Sequence, residues 1–370
     1  MSKKILSLSV VLMIFSFMLS GCLNEDSSAS TENSSGETFS WRMSSTYPSG
    51  SIQFERDKRF AELVNELSNG QLDITLHQEG ELTASDQLLD TVSNGTIEAG
   101  GDWPGSWSGL NSAFSLLGTS AAGMSVFDYA MWIQSDEGME IYNEIYGQQN
   151  LVYFPYNIPA TESGIRSTEP IESLEDLNGL NIRFVGTVQS RLMQEFGGNP
   201  VNLPAGELYE SIQRGVIDAV EFSGPSGDKA LNLDEVTNYV ATPSWHQTAS
   251  VTGVMINKDV WESLPEDLQL VVETAAKTTM LETTFDELYQ DALVTREMVE
   301  SGSVTVTEFP EEDVETITET IIKIQDELAE ENSDFAMVLE SQKEFMKTFS
   351  GYRDIMGPWG FGTNAETLLD

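Results

Sequence analysis

Sixty acidic side chains face eighteen basic ones in these 370 residues, so a well-placed arginine carries more information here than in an ordinary chain. Arg183 closes the apolar run Leu180–Phe184, read as a strand, just before Gly186 and a helical stretch from Gln189 to Phe196. Strand ends that feed helices are where α/β clefts form. A guanidinium at such a point can hold a carboxylate through two parallel hydrogen bonds, a geometry that lysine does not reproduce. Arg166, in Gly164-Ile165-Arg166, is a second scarce base, with a structural ion pair as an equal alternative to any ligand role. Glu221-Phe222 ends the strand-like run from Val216, offering a carboxylate and a flat apolar wall. Trp103 and Trp107 sit in a Gly/Pro loop, Asp102–Trp107, where they either cover a ligand or anchor the loop. Trp245-His246-Gln247 adds an aromatic ring, an imidazole and an amide, with His246 read as structural or cleft-lining.

None of this is the equipment of an enzyme. There is no nucleophile elbow, Walker loop, HExxH or dinucleotide fingerprint. Two histidines and one cysteine leave little for a metalloenzyme or a Cys/His enzyme. Sixty acids guarantee chance carboxylate pairs, so a glycosidase-type hydrolase stands as the rival enzyme class. A net charge of −42 removes the basic footprint that nucleic acid requires. It implies a surface suited to high salt, where screening relieves self-repulsion.

The elements that must position these residues follow from periodicity. Strands are expected at Phe39–Ser45, Leu72–Leu76, Ile97–Gly101 and Leu151–Tyr156, with helices at Phe54–Leu67, Ser85–Val92 and Val126–Tyr146. Further strands are expected at Leu180–Phe184, Val216–Phe222, Val251–Ile256 and Val304–Phe309, with one very long helix from Glu266 to Val299 and acidic helices up to about Tyr352. Alternation of this kind gives layered α/β sections with a largely parallel sheet. The expected layout is a first lobe over residues 38–162 and a second over 163–254. Residues 255–370 form the long connecting helix and C-terminal segments that serve both lobes. A ligand cleft lies between the lobes.

The first residues read as an export signal. Lys3 and Lys4 precede an uncharged apolar stretch, Ile5–Leu19, too short for the roughly 20 residues of a spanning helix. Leu19-Ser20-Gly21-Cys22 resembles the bacterial lipobox, which implies removal of residues 1–21 and lipid on Cys22, the only cysteine. Residues 22–37, rich in Ser, Asn and Glu, form a flexible tether. The chain is therefore expected on the outer face of a cell membrane, held by its lipid.

An ordered run of blocks resembles a known family. Leu174–Arg183 is followed by Gly197-Gly198-Asn199-Pro200-Val201 and then by Leu203–Tyr209. Ile212–Phe222, Gly224-Pro225, Ile256-Asn257-Lys258 and Trp261–Pro265 complete the run. This is similar to the DctP-type solute-binding proteins of TRAP transporters, in the branch that binds 2-oxo acids and related carboxylates. The resemblance implies a two-lobed periplasmic-binding-protein-like α/β fold that captures a small organic acid and delivers it to membrane permease subunits. A tethered ligand sensor of the same fold is the alternative. By the same resemblance Arg183 clamps the carboxylate, Arg166 is a second contact, Phe222 lies against the ligand, and His77–Leu82 borders the cleft. The branch also implies a metal ion bridging to the ligand. Its expected ligands here are Glu221 and Gln247, but Gln247 replaces a carboxylate and Thr161, beside Glu162, replaces a glutamine. Hard cations prefer charged oxygens, so the sequence reading commits to no cofactor.

Overall fold

Strand β1 (Phe39–Ser45) alternates over its first part, with Trp41 and Met43 buried and Ser40 and Arg42 facing solvent, and is buried on both faces at its end, Ser44 and Ser45. In the computed structural model, which describes residues 37–120, 123–159 and 161–356, β1 lies between β2 (Leu72–His77) and β3 (Ala99–Asp102). The export segment, Cys22 and all but the last residue of the tether fall outside the described residues. The first sheet has the order β2-β1-β3-β12-β5, where β5 is Leu151–Asn157 and β12 is Thr252–Asn257. Every position of β12 is buried, as expected for a strand covered on both faces. The helix Ile52–Leu67, capped by Ser51, and the start of the helix Glu266–Ser301 cover one face through Phe60, Leu63, Leu268 and Val272.

The second sheet has the order β13-β10-β6-β9-β7-β8. Its strands are β6 (Ile165–Ser167), β7 (Asn181–Arg183), β8 (Asn199–Val201), β9 (Ala219–Val220), β10 (Tyr239–Thr242) and β13 (Thr305–Glu308). A separate ribbon pairs β4 (Thr119–Ser120) with β11 (Ala249–Ser250). The expected α/β layering is present, but the sheets are mixed rather than largely parallel. β12 runs antiparallel to both its neighbours, and β6 to both of its own. The reason is topological: β12 enters the first sheet from the second lobe rather than by a helical crossover within it.

That crossing also corrects a boundary. The second lobe was expected to extend to residue 254, yet Thr252–Asn257 belongs to the first sheet. The expected single helix Val126–Tyr146 is two helices, Val126–Ile133 and Asp136–Gly147. Ser135 breaks it by capping Gly138 N, since its hydroxyl competes with the helical ladder. The expected strand Val216–Phe222 shrinks to Ala219–Val220, because Gly215 at φ +67° turns the chain just before it.

The helix Glu266–Ser301 holds both lobes. Glu287 pairs with Arg56 of the first lobe at 2.6 Å, and Asp291, one turn on, accepts from Ser226 N of the second at 2.9 Å. Helix Glu311–Glu331 then covers the second sheet, and helix Ser333–Met356 returns to the first lobe, where Gln342 donates to Leu116 O.

Candidate functional site

Three chain segments leave the sheets side by side and build the site. β7 ends at Arg183, and β9 beside it ends at Val220, so Arg183 and Glu221 stand on adjacent parallel strand ends; Glu221 N donates to Arg183 O at 3.2 Å. The segments that cross between the lobes run together above them: Glu162 N donates to Gln247 O and Ser163 N to Ser223 O. Gly186, at φ +103°, turns the chain from β7 into helix Thr187–Glu195; a Cβ there would lie 2.4 Å from Gln189 Oε1.

These segments border a cavity of about 660 Å³ between the two sheets. Arg183, Glu221, Phe222, Gln247, Trp103 and Trp107 all line it. The Arg183 guanidinium is divided in its tasks. Nη1 donates to Glu221 O at 2.6 Å and to Glu221 Oε1 at 3.0 Å; Nε makes a long contact of 3.5 Å to Leu203 O. Nη2 donates to nothing among the described residues. The guanidinium carbon Cζ lies 5.7 Å from the centre of the Phe222 ring. The face presented by Nη2 and Nε is therefore the one available to an incoming carboxylate.

Opposite stands a buried acid pair. Glu162 Oε1 accepts from Gln247 Nε2 at 2.6 Å, and Glu162 Oε2 lies 2.8 Å from His246 Nε2. Carboxylate oxygens of Glu162 and Glu221 and a ring nitrogen of His246 all lie within 4.8 Å of one another. Burial pushes both glutamates up to about 8, although Arg183 pulls Glu221 the other way. Burial pushes the His246 imidazole down to about 4, so it is neutral at ordinary pH. Two carboxyls this close, out of water, are a charge sink awaiting a cation or a proton.

The aromatic wall is fixed from behind. Trp103 Nε1 donates to Gly118 O and Ser250 Oγ, and its ring rests on Gly105, where a Cβ would come within 2.3 Å. Trp107 Nε1 donates to buried Asp102. The N–H edges of both tryptophans anchor the loop, and both residues line the cavity.

Two expected residues are not at the cavity. Arg166 is almost wholly buried in an ion pair with Asp228, 2.5 Å from Nε to Oδ2, because antiparallel β6 turns its side chain toward the helix Pro225–Ala230 rather than the cleft. Trp245 is buried among Phe184, His246 and Phe309. Thr161 is also turned away, donating to Thr248 O, so Glu162 is the one that reaches the cavity. Glu79 and Gly80, from the expected loop at residues 77–82, do line it.

Tyr47, Gln53 and Ser223 were not anticipated. Buried Gln53 lines the cavity and donates to Ser223 Oγ at 3.2 Å, joining the first lobe to the second. Its position on the first turn of an amphipathic helix gave no sign of this. Helix Thr187–Glu195 makes a second bridge, with Thr187 N donating to Ser115 Oγ at 3.0 Å.

A cavity between two mixed sheets, crossed by paired connecting segments and faced by one arginine, defines a cleft-binding receptor. The sequence matches the model of the DctP family, bacterial extracellular solute-binding protein family 7, over residues 43–332, and the chain belongs to that family. It is 30% identical over 310 residues to the monocarboxylate 2-oxoacid-binding periplasmic protein of a Nostoc species, covering 83% of this chain and 84% of that one. Among solved structures it resembles a TRAP transporter solute-binding protein from Bordetella bronchiseptica, at 27% identity and a TM-score of 0.82, over 86% of this chain and 95% of the other. That protein is described as a dimer with copurified calcium and picolinate. A TRAP periplasmic solute-binding protein from Pseudoalteromonas atlantica, holding sodium and pyruvate, is 25% identical with a TM-score of 0.81, over 86% of this chain and 97% of the other. The family consists of solute-binding receptors, not enzymes.

Proposed function

We propose that this receptor captures a small monocarboxylate, a 2-oxo acid in the first instance, and delivers it to a TRAP-type membrane permease. The observation that carries the reading is Arg183: a nearly buried guanidinium whose Nη2 has no partner among the described residues, on the wall of a cavity lined by Phe222, Trp103 and Trp107. A carboxylate on that face would complete the fork. The 2-oxo acid is supported by the Nostoc relative and by the pyruvate in the Pseudoalteromonas protein. The tryptophans and Phe222 exclude water, which strengthens the ion pair. Solute bridging Arg183 to first-lobe groups favours the closed form to the extent that it binds that form better.

The relatives' cations fit this site. Glu162, Glu221 and Gln247 form an oxygen-rich set suited to calcium or sodium, with His246 orienting Glu162. When bound, such an ion supplies positive charge that neutralises the two carboxylates and adds to the pull of Arg183 on the solute. Glu162 thus joins Glu221 and Gln247, the two ligands that the resemblance implied, in that set.

Lipid on Cys22 and the tether that follows would hold the receptor beside its permease at high effective concentration. The support is the order of residues 1–37 in the sequence. A thermal-shift screen of organic acids, with and without calcium, tests the reading. Two-oxo acids should raise the melting temperature by mass action. If none does, while neutral sugars or amines do, the assignment fails.

A further inference from the structure

The cavity is larger than the smallest 2-oxo acid needs. A water takes about 30 Å³, so a solute with as few heavy atoms as pyruvate fills less than about 180 Å³, against about 660 Å³ between the sheets. Its charges are also lopsided. Of the charged side chains that line it, Arg183 alone is basic, while Glu79, Asp86, Glu162, Glu207 and Glu221 are acidic. Glu162 and Glu221 belong to the acid pair beside Arg183. Asp86 and Glu207 are exposed, but Glu79 is half-buried and held in place. Its Oε1 accepts from Ser85 Oγ at 2.8 Å, and Gly206 of the second lobe lies against its Oε2, where a Cβ would be 3.4 Å away.

Glu79 stands on the first lobe and Arg183 on the second. Leu203 O, 3.5 Å from Arg183 Nε, and Gly206 are three residues apart, which is at most about 11 Å along an extended chain. One extended solute with its carboxylate on Arg183 can therefore bring its tail to Glu79. The rest of the first-lobe wall is short of donors. Gln53 Oε1 and the Thr252 hydroxyl line the cavity, on residues only 5% and 4% exposed, and neither has a hydrogen-bond partner among the described residues. A buried acceptor left unpaired is costly until a donor reaches it.

We propose that the first-lobe wall reads the tail of the solute and that Glu79 sets its charge: the receptor takes an oxo acid whose far end is an amino or guanidinium group, and refuses dicarboxylates. The inference rests on the carboxylate clamp of Arg183 proposed above. A cationic tail makes a charge-assisted hydrogen bond with Glu79, and its remaining N–H groups serve Gln53 and Thr252. A second carboxylate would instead meet Glu79, Asp86 and Glu207 with no base of the lining to receive it, which is the repulsive half of a specificity. With its acid on one lobe and its tail on the other, such a solute makes contacts that only the closed form offers.

Calorimetric titration of the full chain, with calcium present, tests this with three 2-oxo acids of similar length. They are 5-guanidino-2-oxopentanoate, 2-oxooctanoate and 2-oxoadipate, whose tails are cationic, apolar and anionic. Wild type should bind the guanidino acid tightest and 2-oxoadipate at least tenfold more weakly. Glu79→Gln, which keeps an acceptor for Ser85, should cut that ratio at least fivefold, and Glu79→Lys should reverse it. Melting of each variant checks that it folds. A ratio that stays within twofold of wild type in Glu79→Gln overturns the inference. So does a wild type that prefers 2-oxooctanoate or 2-oxoadipate to the guanidino acid, and in that case the Arg183 clamp still stands. A wild type that binds none of the three overturns both this inference and the reading it rests on.

Discussion

Replacing Arg183 by Ala removes three things at once: the Nη2 face toward the cavity, the donor to Glu221 O at 2.6 Å and the donor to Glu221 Oε1 at 3.0 Å. Its side chain is 11% exposed and that of Glu221 5%, so solvent does little to replace what is lost. Truncating one partner of a buried, hydrogen-bonded charge pair costs about 2–5 kcal/mol, which is a loss of about 30- to 4,000-fold in solute affinity at 1.4 kcal/mol per tenfold. Arg183→Lys should fall between, because one ammonium cannot serve Glu221 and a carboxylate together. The assay is calorimetric titration of both variants with the best acid from the screen, alongside melting of each apo protein. A large drop in affinity with a modest drop in melting temperature is the expected pattern. Affinity within twofold of wild type in the Ala variant would refute the clamp, whatever happens to stability.

Other outcomes follow from the same contacts. Glu162 and Glu221, pushed up to about 8 against 4.5 in a free side chain, bind protons in the folded state that the unfolded chain has already lost. Stability of the apo protein should therefore fall as pH rises from about 6.5 to 8, with Asp57 and Asp102, pushed up by burial to about 7, acting in the same direction. Urea melts across that range check the sign, and added calcium should flatten the slope if it takes the protons' place. Trp103→Phe removes the donor to Gly118 O and Ser250 Oγ and should cost about 1–3 kcal/mol, read from urea unfolding. A net charge of −42 predicts a melting temperature that rises between ~0.01 and ~1 M NaCl, as the screening length drops from about 30 to 3 Å; a flat response would remove the inferred adaptation to salt.

Part of the cavity wall was legible in the sequence. Arg183 stands at a strand end before Gly186, and the family resemblance singled out both it and Glu221-Phe222; the structure brings both to one cavity wall. Tyr47 and Gln53 gave no such sign. A glutamine on the first turn of an amphipathic helix looks like any solvated residue until a second lobe buries it against Ser223. Arg166 takes the structural ion pair that the sequence offered as its alternative: local sequence supplies a cation after a glycine, and pairing of β6 with β9 and β10 decides that it faces Asp228.

The sequence by itself determined the periodic elements, the acid excess, the long helix and the family blocks, since these are properties of neighbours along the chain. Only the tertiary structure decided which acids meet. Glu162 and Glu221 are distant in sequence and become a coupled, buried pair because two crossing segments are pressed together above the end of β9. It likewise decided that Trp245 is core while Trp103 faces the cleft. Burial depends on what packs against a residue from elsewhere in the chain, and composition and spacing do not encode that partner.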